Sequence, residues 1–533
     1  MLKKERPALG VLLVALLLPG YTSSTLATGG KSFGETDIQR YPRFAVSFPA
    51  QVRSNPATGR VLLFFSRSQN WEPRLASGLS DLQPVYAIDV TSVKPGELVV
   101  FGPEQLDAPA ALAFPVALDA LEPGTYYVQA VFDLDQTRGN YNAGQGNLYS
   151  RAVKCKLGLG RRTKVNLVAD RLIKESSAPV DTDWVKLVEI RSQRLSEFHG
   201  REVKLRASVV LPAAYSTDRD RQFPALYHVP SFSGDHTLGW WSHRETDHES
   251  KPTEVSVQRL EVILDPQVPT GHSGFANSEN NGPVGDALVY ELVPEIERRF
   301  RAIPQPHGRM LTGFSSGGWA ALWLQVTYPD FFGGCWSGSP DPVDFRFFQT
   351  MNIYEDRNGH WTREGYPRPL ARENGKILAT FEQVNRWERV VGKGFQLGSF
   401  NAVFSPRAID GHPRPLIDPL TGDIDTRVAN HWKRYDLRRV LEENWSTLGP
   451  RLKGKLHVII GGTDTYYLDN AVRSLGDFLK ETDYGGYVEI VPGTHGDYAG
   501  DALMERFDRE MAAHFAAGQR ASADRSGARP TSK

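Results

Sequence analysis

A serine hydroxyl attacks a carbonyl only when a base takes its proton and a third group holds that base in the correct tautomer. Ser315 lies in Gly313-Phe314-Ser315-Ser316-Gly317, with the apolar pair Met310-Leu311 ahead of it. Behind it, Trp319, Leu322, Trp323 and Val326 recur at helical spacing and stop before Pro329. This context predicts strand, sharp turn and helix, with the serine lifted clear at the turn and the Ser316 N–H beside a developing oxyanion. The flanking glycines let strand and helix approach closely. Downstream, Asp464 follows the strand candidate Leu456-Ile460 through Gly461-Gly462-Thr463, and His495 follows Tyr487-Val491 through Pro492-Gly493-Thr494. Both loops are expected at the carboxyl edge of an open sheet, where such folds place their sites. The order serine, acid, histidine therefore predicts Ser315 as nucleophile, His495 as base and Asp464 as the acid that orients it. Asp464 could instead cap a helix starting near Asp469, which leaves Asp469 as the second candidate acid, and His495 could be an ordinary loop histidine.

A second oxyanion donor is expected from the loop after the strand candidate Ala225-Val229. That loop reads Pro230-Ser231-Phe232-Ser233-Gly234. Pro230 has no N–H, and Phe232 is the choice over Ser231. Trp240 and Trp241 follow, and could stack on an aromatic acyl group or a sugar ring, or simply pack a lid. The nearby run Asp235-His236, His243 and Asp247-His248 superficially resembles a metal site. Its spacing matches neither H-E-x-x-H nor a Cys/His zinc pattern, so no metal and no organic cofactor is expected. A second G-x-S-x-G, Gly30 to Gly34, has no strand before it and no helix after it, and reads as chance.

The elements that must position these residues follow a change of pattern along the chain. Roughly Tyr41 to Asp170 is a series of short β-branched and aromatic runs (Phe44-Phe48, Val61-Phe65, Val85-Val90, Leu98-Phe101, Tyr126-Phe132, Val165-Val168) parted by turns such as Asn55-Pro56-Ala57-Thr58-Gly59. Regularly spaced short strands predict a β-sandwich, expected over residues 28–175, with an accessory role. Lys174 to Asp183 reads as a linker. From about residue 200 strands and helices alternate, which predicts a mostly parallel sheet covered on both faces over 184–515. Pro294 should kink or split a helix drawn over Asp286 to Arg301. Periodicity fades between 341 and 434, and a long stretch of that kind suggests a lid or cap insertion. Residues 516–533 are polar and Ser/Arg-rich and are expected to be disordered.

Bulk properties narrow the function further. Lys plus Arg and Asp plus Glu balance at 62 each, and no basic cluster stands out, so nothing points to nucleic acid or an anionic membrane surface. Lys3-Lys4-Glu5-Arg6 followed by the short apolar run Leu9 to Leu18 predicts an export signal over 1–27, with small residues at Thr25-Leu26-Ala27 for cleavage. The mature chain is then periplasmic or secreted, with no membrane segment. Of two cysteines, Cys155 and Cys335, burial as free thiols is the simpler expectation, although one bridge is open to an exported protein.

Residues 200–515 resemble the putative-esterase family of α/β-hydrolases, which includes enterochelin esterases, feruloyl esterases, S-formylglutathione hydrolases and mycolyltransferases. The matching pieces are Phe223-Pro224-Ala225-Leu226-Tyr227, Gly313-Phe314-Ser315-Ser316-Gly317-Gly318, Tyr328-Pro329-Asp330-Phe331-Phe332, Gly462-Thr463-Asp464 and Gly493-Thr494-His495. The resemblance implies the same nucleophile, acid and base. It also implies a small-molecule or polysaccharide-linked ester as substrate, and a leading β-sandwich as in enterochelin esterases. Family members commonly carry His-Gly-Gly where this chain has Val229-Pro230-Ser231-Phe232, so the second oxyanion donor departs from the pattern. An acyltransferase using the same three residues, and a binding protein on a hydrolase scaffold, are the alternatives left open.

Overall fold

The structure is a computed structural model that describes residues 42–102, 111–135, 137, 139–158, 163–174, 179–245 and 258–527, with side chains at 242–245 and 523–527 left aside. The expected export signal lies outside the described residues. The chain divides into two compact units. One takes residues up to Ser77, Gln83–Leu134 and Leu148–Leu172; the other takes Gly78–Leu82, Asp135–Asn147 and everything from Ile173 onward. One division falls after Leu172, and the segment 135–147 counts with the second unit.

Among its described residues, the first unit holds β-strands and two short 3-10 turns. Arg43–Ser47 pairs antiparallel with Val99–Phe101 and parallel with Lys164–Val168. A larger sheet centres on Ala57–Ser66, flanked by Val85–Val93 and Gly124–Asp133. Both sheets feed one apolar cluster: Phe44, Val46, Phe101 and Leu167 from the small sheet meet Val61, Leu63, Phe65 and Phe132 from the large one. Phe44 and Phe65 meet edge to face at 5.1 Å, the geometry that aromatic quadrupoles favour.

The second unit holds an eight-stranded sheet. Its strands are β1 (Val185–Arg191), β2 (Lys204–Val210), β3 (Ala225–Val229), β4 (Leu260–Leu264), β5 (Arg309–Phe314), β6 (Gly334–Gly338), β7 (Leu456–Gly461) and β8 (Tyr487–Val491). Their spatial order is β1-β2-β4-β3-β5-β6-β7-β8. Only β2 runs against its neighbours; β4, β3 and β5 to β8 are parallel. The architecture is the mixed, mostly parallel α/β sheet that the alternating pattern predicted. Parallel strands covered on both faces carry near-continuous apolar runs, as Leu456-His457-Val458-Ile459-Ile460 does. Side chains alternate between the faces. Leu311, Cys335, Val458 and Ile460 enter the main core, while Met310, Trp336 and Ile459 pack against Leu503, Phe507 and Met511.

Several helices matter for the site: α1 (Leu238–Glu245), α2 (Ser316–Thr327), α3 (Phe381–Val391), α4 (Gln396–Phe404), α5 (Asp469–Lys480) and α6 (Asp501–Gly527). Before α2, the predicted break at Pro294 takes the form of a π turn, Leu288–Leu292, leading into a helix Val293–Phe300. Proline supplies no N–H to the helical ladder, and a widened turn accommodates the loss.

Two expectations from the sequence need correction. The stretch 341–434 is not devoid of elements. It holds a hairpin (Pro369–Glu373 with Lys376–Thr380), α3, α4 and a helix Thr426–Trp432. Phe345, Phe348, Phe400, Phe404 and Trp432 from this stretch join the main core through ring contacts of 5.1 to 5.9 Å. The elements are short and their aromatic anchors irregularly spaced, so no period emerges. The tail expected from residue 516 is likewise helical as far as Gly527 within α6, where closely spaced alanines favour the helix.

Cys155 and Cys335 are both free. Burial pushes the Cys335 thiol well up and that of Cys155 up to about 11. No helix among the described residues is long and apolar enough to cross a membrane.

Candidate active site

Ser315 occupies the turn between β5 and α2 with φ 58° and ψ −125°, a backbone region that non-glycine residues rarely enter and that marks a strained elbow. Its N–H donates to the Gly338 carbonyl at 3.0 Å, and its own carbonyl accepts from Trp319 N at 3.0 Å and from Asp341 N at 3.2 Å. Close packing of α2 on β3 makes the elbow possible. A Cβ at Gly317 would overlap the Val229 carbonyl oxygen. Ser316 is the first residue of α2, where an N–H has no partner within the helix.

The acid and the base come from adjacent loops. The ends of β7 and β8 are joined by Gly462 N to Val491 O at 2.7 Å and Thr463 N to Gly493 O at 3.0 Å. Gly461 is required there, because a Cβ would overlap the Thr494 carbonyl. Asp464 has no exposed surface. Its Oδ2 accepts from His495 Nδ1 at 2.7 Å, and its Oδ1 accepts from the N–H groups of Tyr466 (2.8 Å) and Leu468 (3.3 Å). The carboxylate thus holds the histidine on one oxygen and the loop ahead of α5 on the other, while the N-cap of α5 is Leu468, which receives no side-chain cap. Asp469, the second candidate acid, is engaged elsewhere: it pairs with Arg372 at 3.1 Å and Arg473 at 3.5 Å. Arg372 also donates to the Asp464 carbonyl at 3.0 Å, so the hairpin of the insertion clamps the acid's loop.

The His495 ring lies edge-on between two aromatic rings, Phe314 at 5.0 Å and Tyr466 at 4.8 Å. Ser339 Oγ donates to the His495 carbonyl at 2.9 Å and meets the Tyr498 hydroxyl at 2.7 Å. Phe314 immediately precedes Ser315, so this edge-to-face contact sets the imidazole against the residue before the elbow. Among the described residues no hydrogen bond joins the Ser315 hydroxyl to the ring. Catalytic hydrogen bonds in unliganded sites are commonly long and tighten on binding.

The loop after β3 forms a tight turn closed by Gly234 N to Ser231 O at 2.9 Å, with Phe232 half-buried inside it. Ser231 Oγ donates to the Phe314 carbonyl at 2.8 Å, tying the loop to β5. The Pro230 carbonyl accepts from buried His272 Nε2 at 3.0 Å, and His272 Nδ1 accepts from Gly274 N at 3.1 Å. These two bonds fix one neutral tautomer. Burial lowers this imidazole to about 4, so it stays uncharged.

Trp240 differs from its expected placement. It is buried within α1, and its indole N–H donates to the Val180 carbonyl at 3.1 Å, so it packs the helix and offers no face to a ligand. Trp241 is 61% exposed. In the metal-like run, His236 Nδ1 bonds Asp265 Oδ2 at 2.9 Å, with both side chains buried. The side chains of His243, Asp247 and His248 lie outside the described residues.

One group escaped sequence reasoning. Asp341, in the loop after β6, is buried, and its Oδ2 accepts from Ser316 Oγ at 2.6 Å and from Gln396 Nε2 at 3.1 Å. Burial pushes its carboxyl up to about 6, against the Ser316 bond and the nearby His495, which favour the charged form. Gln396 Nε2 also reaches Ser316 Oγ at 3.1 Å. The signal available in the sequence was slight: an Asp one loop past the strand that follows the elbow.

Comparison with known proteins gives one family. Residues 199–390 match the family described as "Putative esterase". Among solved structures, the fold is similar to a ferulic acid esterase (12% identity, TM-score 0.38, covering 62% of this chain and 99% of that one). It is also similar to an S-formylglutathione hydrolase from Agrobacterium tumefaciens (14%, 0.39, 63% and 98%). A third is FphF, the fluorophosphonate-binding serine hydrolase F of Staphylococcus aureus (16%, 0.37, 62% and 98%). No curated protein matches the sequence. The matched segment 199–390 holds Phe232, Ser315 and Ser316 and ends before Asp464 and His495.

Proposed function

We propose that the chain is an exported serine hydrolase that cleaves a carboxylic ester through an acyl-serine intermediate. The observation that supports this best is the bond of 2.7 Å between buried Asp464 and His495, whose ring packs on Phe314 next to the strained Ser315 elbow. Ser315 Oγ attacks the ester carbonyl as His495 Nε2 takes its proton. Asp464 holds Nδ1–H, keeping the other nitrogen free as the acceptor and stabilising the imidazolium that forms. The N–H groups of Ser316 and Phe232 hold the oxyanion. The imidazolium then protonates the departing alkoxide, and a water deprotonated by His495 releases the acid. Residues 1–27 act as the export signal, which places the mature enzyme in the periplasm or the medium, and the first unit serves as a β-sandwich accessory to catalysis. Trp241, exposed in α1, is the remaining aromatic candidate for contact with the substrate.

A fluorophosphonate probe tests the reading. It should label the wild type and not Ser315→Ala. Labelling of the alanine variant at the wild-type rate would end it. A screen of p-nitrophenyl, feruloyl, acetyl-sugar and siderophore esters then identifies the substrate class.

A further inference from the structure

Asp341 is a buried carboxylate that no lysine, arginine or histidine among the described residues pairs with in an ion pair. Burying a carboxylate without a counter-ion is costly, so a fold that keeps one there is under some other constraint. Its contacts show what that constraint is. The Asp341 N–H holds the Ser315 carbonyl at 3.2 Å and its Oδ2 holds the Ser316 hydroxyl at 2.6 Å. One residue therefore grips the Ser315–Ser316 pair from both sides. Gln396 closes the arrangement, donating to both Ser316 Oγ and Asp341 Oδ2 at 3.1 Å. Gln396 is in turn held at the start of α4, where buried Glu388 accepts from Leu397 N at 3.1 Å and Gly398 N at 2.8 Å. The His495 Nδ1 is already taken by Asp464, so Asp341 is not the acid that orients the base.

We propose that Asp341 is a positioning residue: it fixes the peptide between Ser315 and Ser316, and with it the oxyanion donor, while Gln396 brings the insertion into the same network. The inference rests on the reading of Ser315 as nucleophile. An oxyanion donor contributes only when aimed at the place where charge develops, and small misplacements are costly.

The test uses the full chain and p-nitrophenyl acetate. Asp341→Ala should lower kcat about tenfold to a hundredfold with KM little changed. Asp341→Asn, which keeps an acceptor for the Ser316 hydroxyl, should recover most of that loss. Ser316→Ala removes the same bond from its other end and leaves the backbone N–H in place. It should reproduce the loss in kcat, and the double variant should be no worse than either single one. Wild-type kcat in Asp341→Ala, or losses that multiply in the double variant, would overturn the proposal. If Asp341→Ala does not fold, Ser316→Ala decides: wild-type kcat there overturns it equally. Ser315→Ala separates the two readings, since turnover surviving in that variant removes the nucleophile itself, whereas a dead Ser315→Ala beside a normal Asp341→Ala removes only the positioning role.

Discussion

His495 Nδ1 stands 2.7 Å from Asp464 Oδ2, and that carboxylate is wholly buried while its other oxygen takes two backbone N–H groups. A histidine held in this way has one nitrogen left for proton transfer. Asp464→Asn keeps the shape but reverses the hydrogen bond and selects the wrong tautomer. We expect kcat to fall by about 10⁴-fold, measured on p-nitrophenyl acetate. Asp469→Asn, whose carboxylate pairs with Arg372 and Arg473, leaves the Asp464–His495 bond in place and should lower kcat far less than Asp464→Asn. Equal losses in the two variants would contradict the assignment of the acid.

The elbow depends on a backbone contact that cannot give way. Gly317→Ala inserts a methyl group against the Val229 carbonyl, and we expect a loss of about 3 kcal/mol in stability. Urea denaturation checks this, and an unchanged midpoint would show that α2 can shift away from β3.

Glu388 is pushed up to about 7 by burial, against the backbone N–H bonds it accepts. A carboxyl group whose folded value lies above its unfolded one binds its proton more tightly in the folded state. Its contribution is therefore complete below pH 4.5 and is lost as pH rises through 7. Glu388→Gln removes this dependence. Relative to that variant, the wild type should lose on the order of 3 kcal/mol between pH 4.5 and 8. Urea titrations of both proteins at several pH values would read the difference, and parallel curves would refute it.

The two adjacent tryptophans should behave differently. Trp240→Ala empties a buried site and frees the Val180 carbonyl, with an expected cost of about 3 to 5 kcal/mol. Trp241→Ala should stay within about 0.5 kcal/mol in stability and, if this ring meets substrate, act on KM. Thermal melts with steady-state kinetics separate the two effects.

The parallel sheet and the elbow were legible because each rests on local pattern: the apolar pair Met310-Leu311 in β5, the longer apolar run of β7, glycines around Ser315, and a helical period behind it. The loops bearing Asp464 and His495 could be placed because each directly follows such a run. Trp240 was misjudged because sequence does not distinguish the buried from the exposed member of an adjacent pair. Asp341 and Gln396 were missed for a different reason. They are 55 residues apart and meet only when the insertion folds back, and their roles come from hydrogen bonds that no spacing rule encodes. Nor did His272 show itself, since its task is to hold a carbonyl through a tautomer fixed by its two hydrogen bonds.

The assignment of Asp135–Asn147 to the second unit has a practical side. Within that unit Lys393 Nζ donates to the Asp135 carbonyl at 3.1 Å and the Tyr141 ring lies 6.0 Å from that of Phe395, next to Gln396. The hydrolase half is thus not an uninterrupted length of polypeptide. A truncated gene product starting at Ile173 would leave behind the strap that carries Tyr141. Weak activity in such a fragment would then report on a missing brace beside Gln396 and would say little about what the leading strands do.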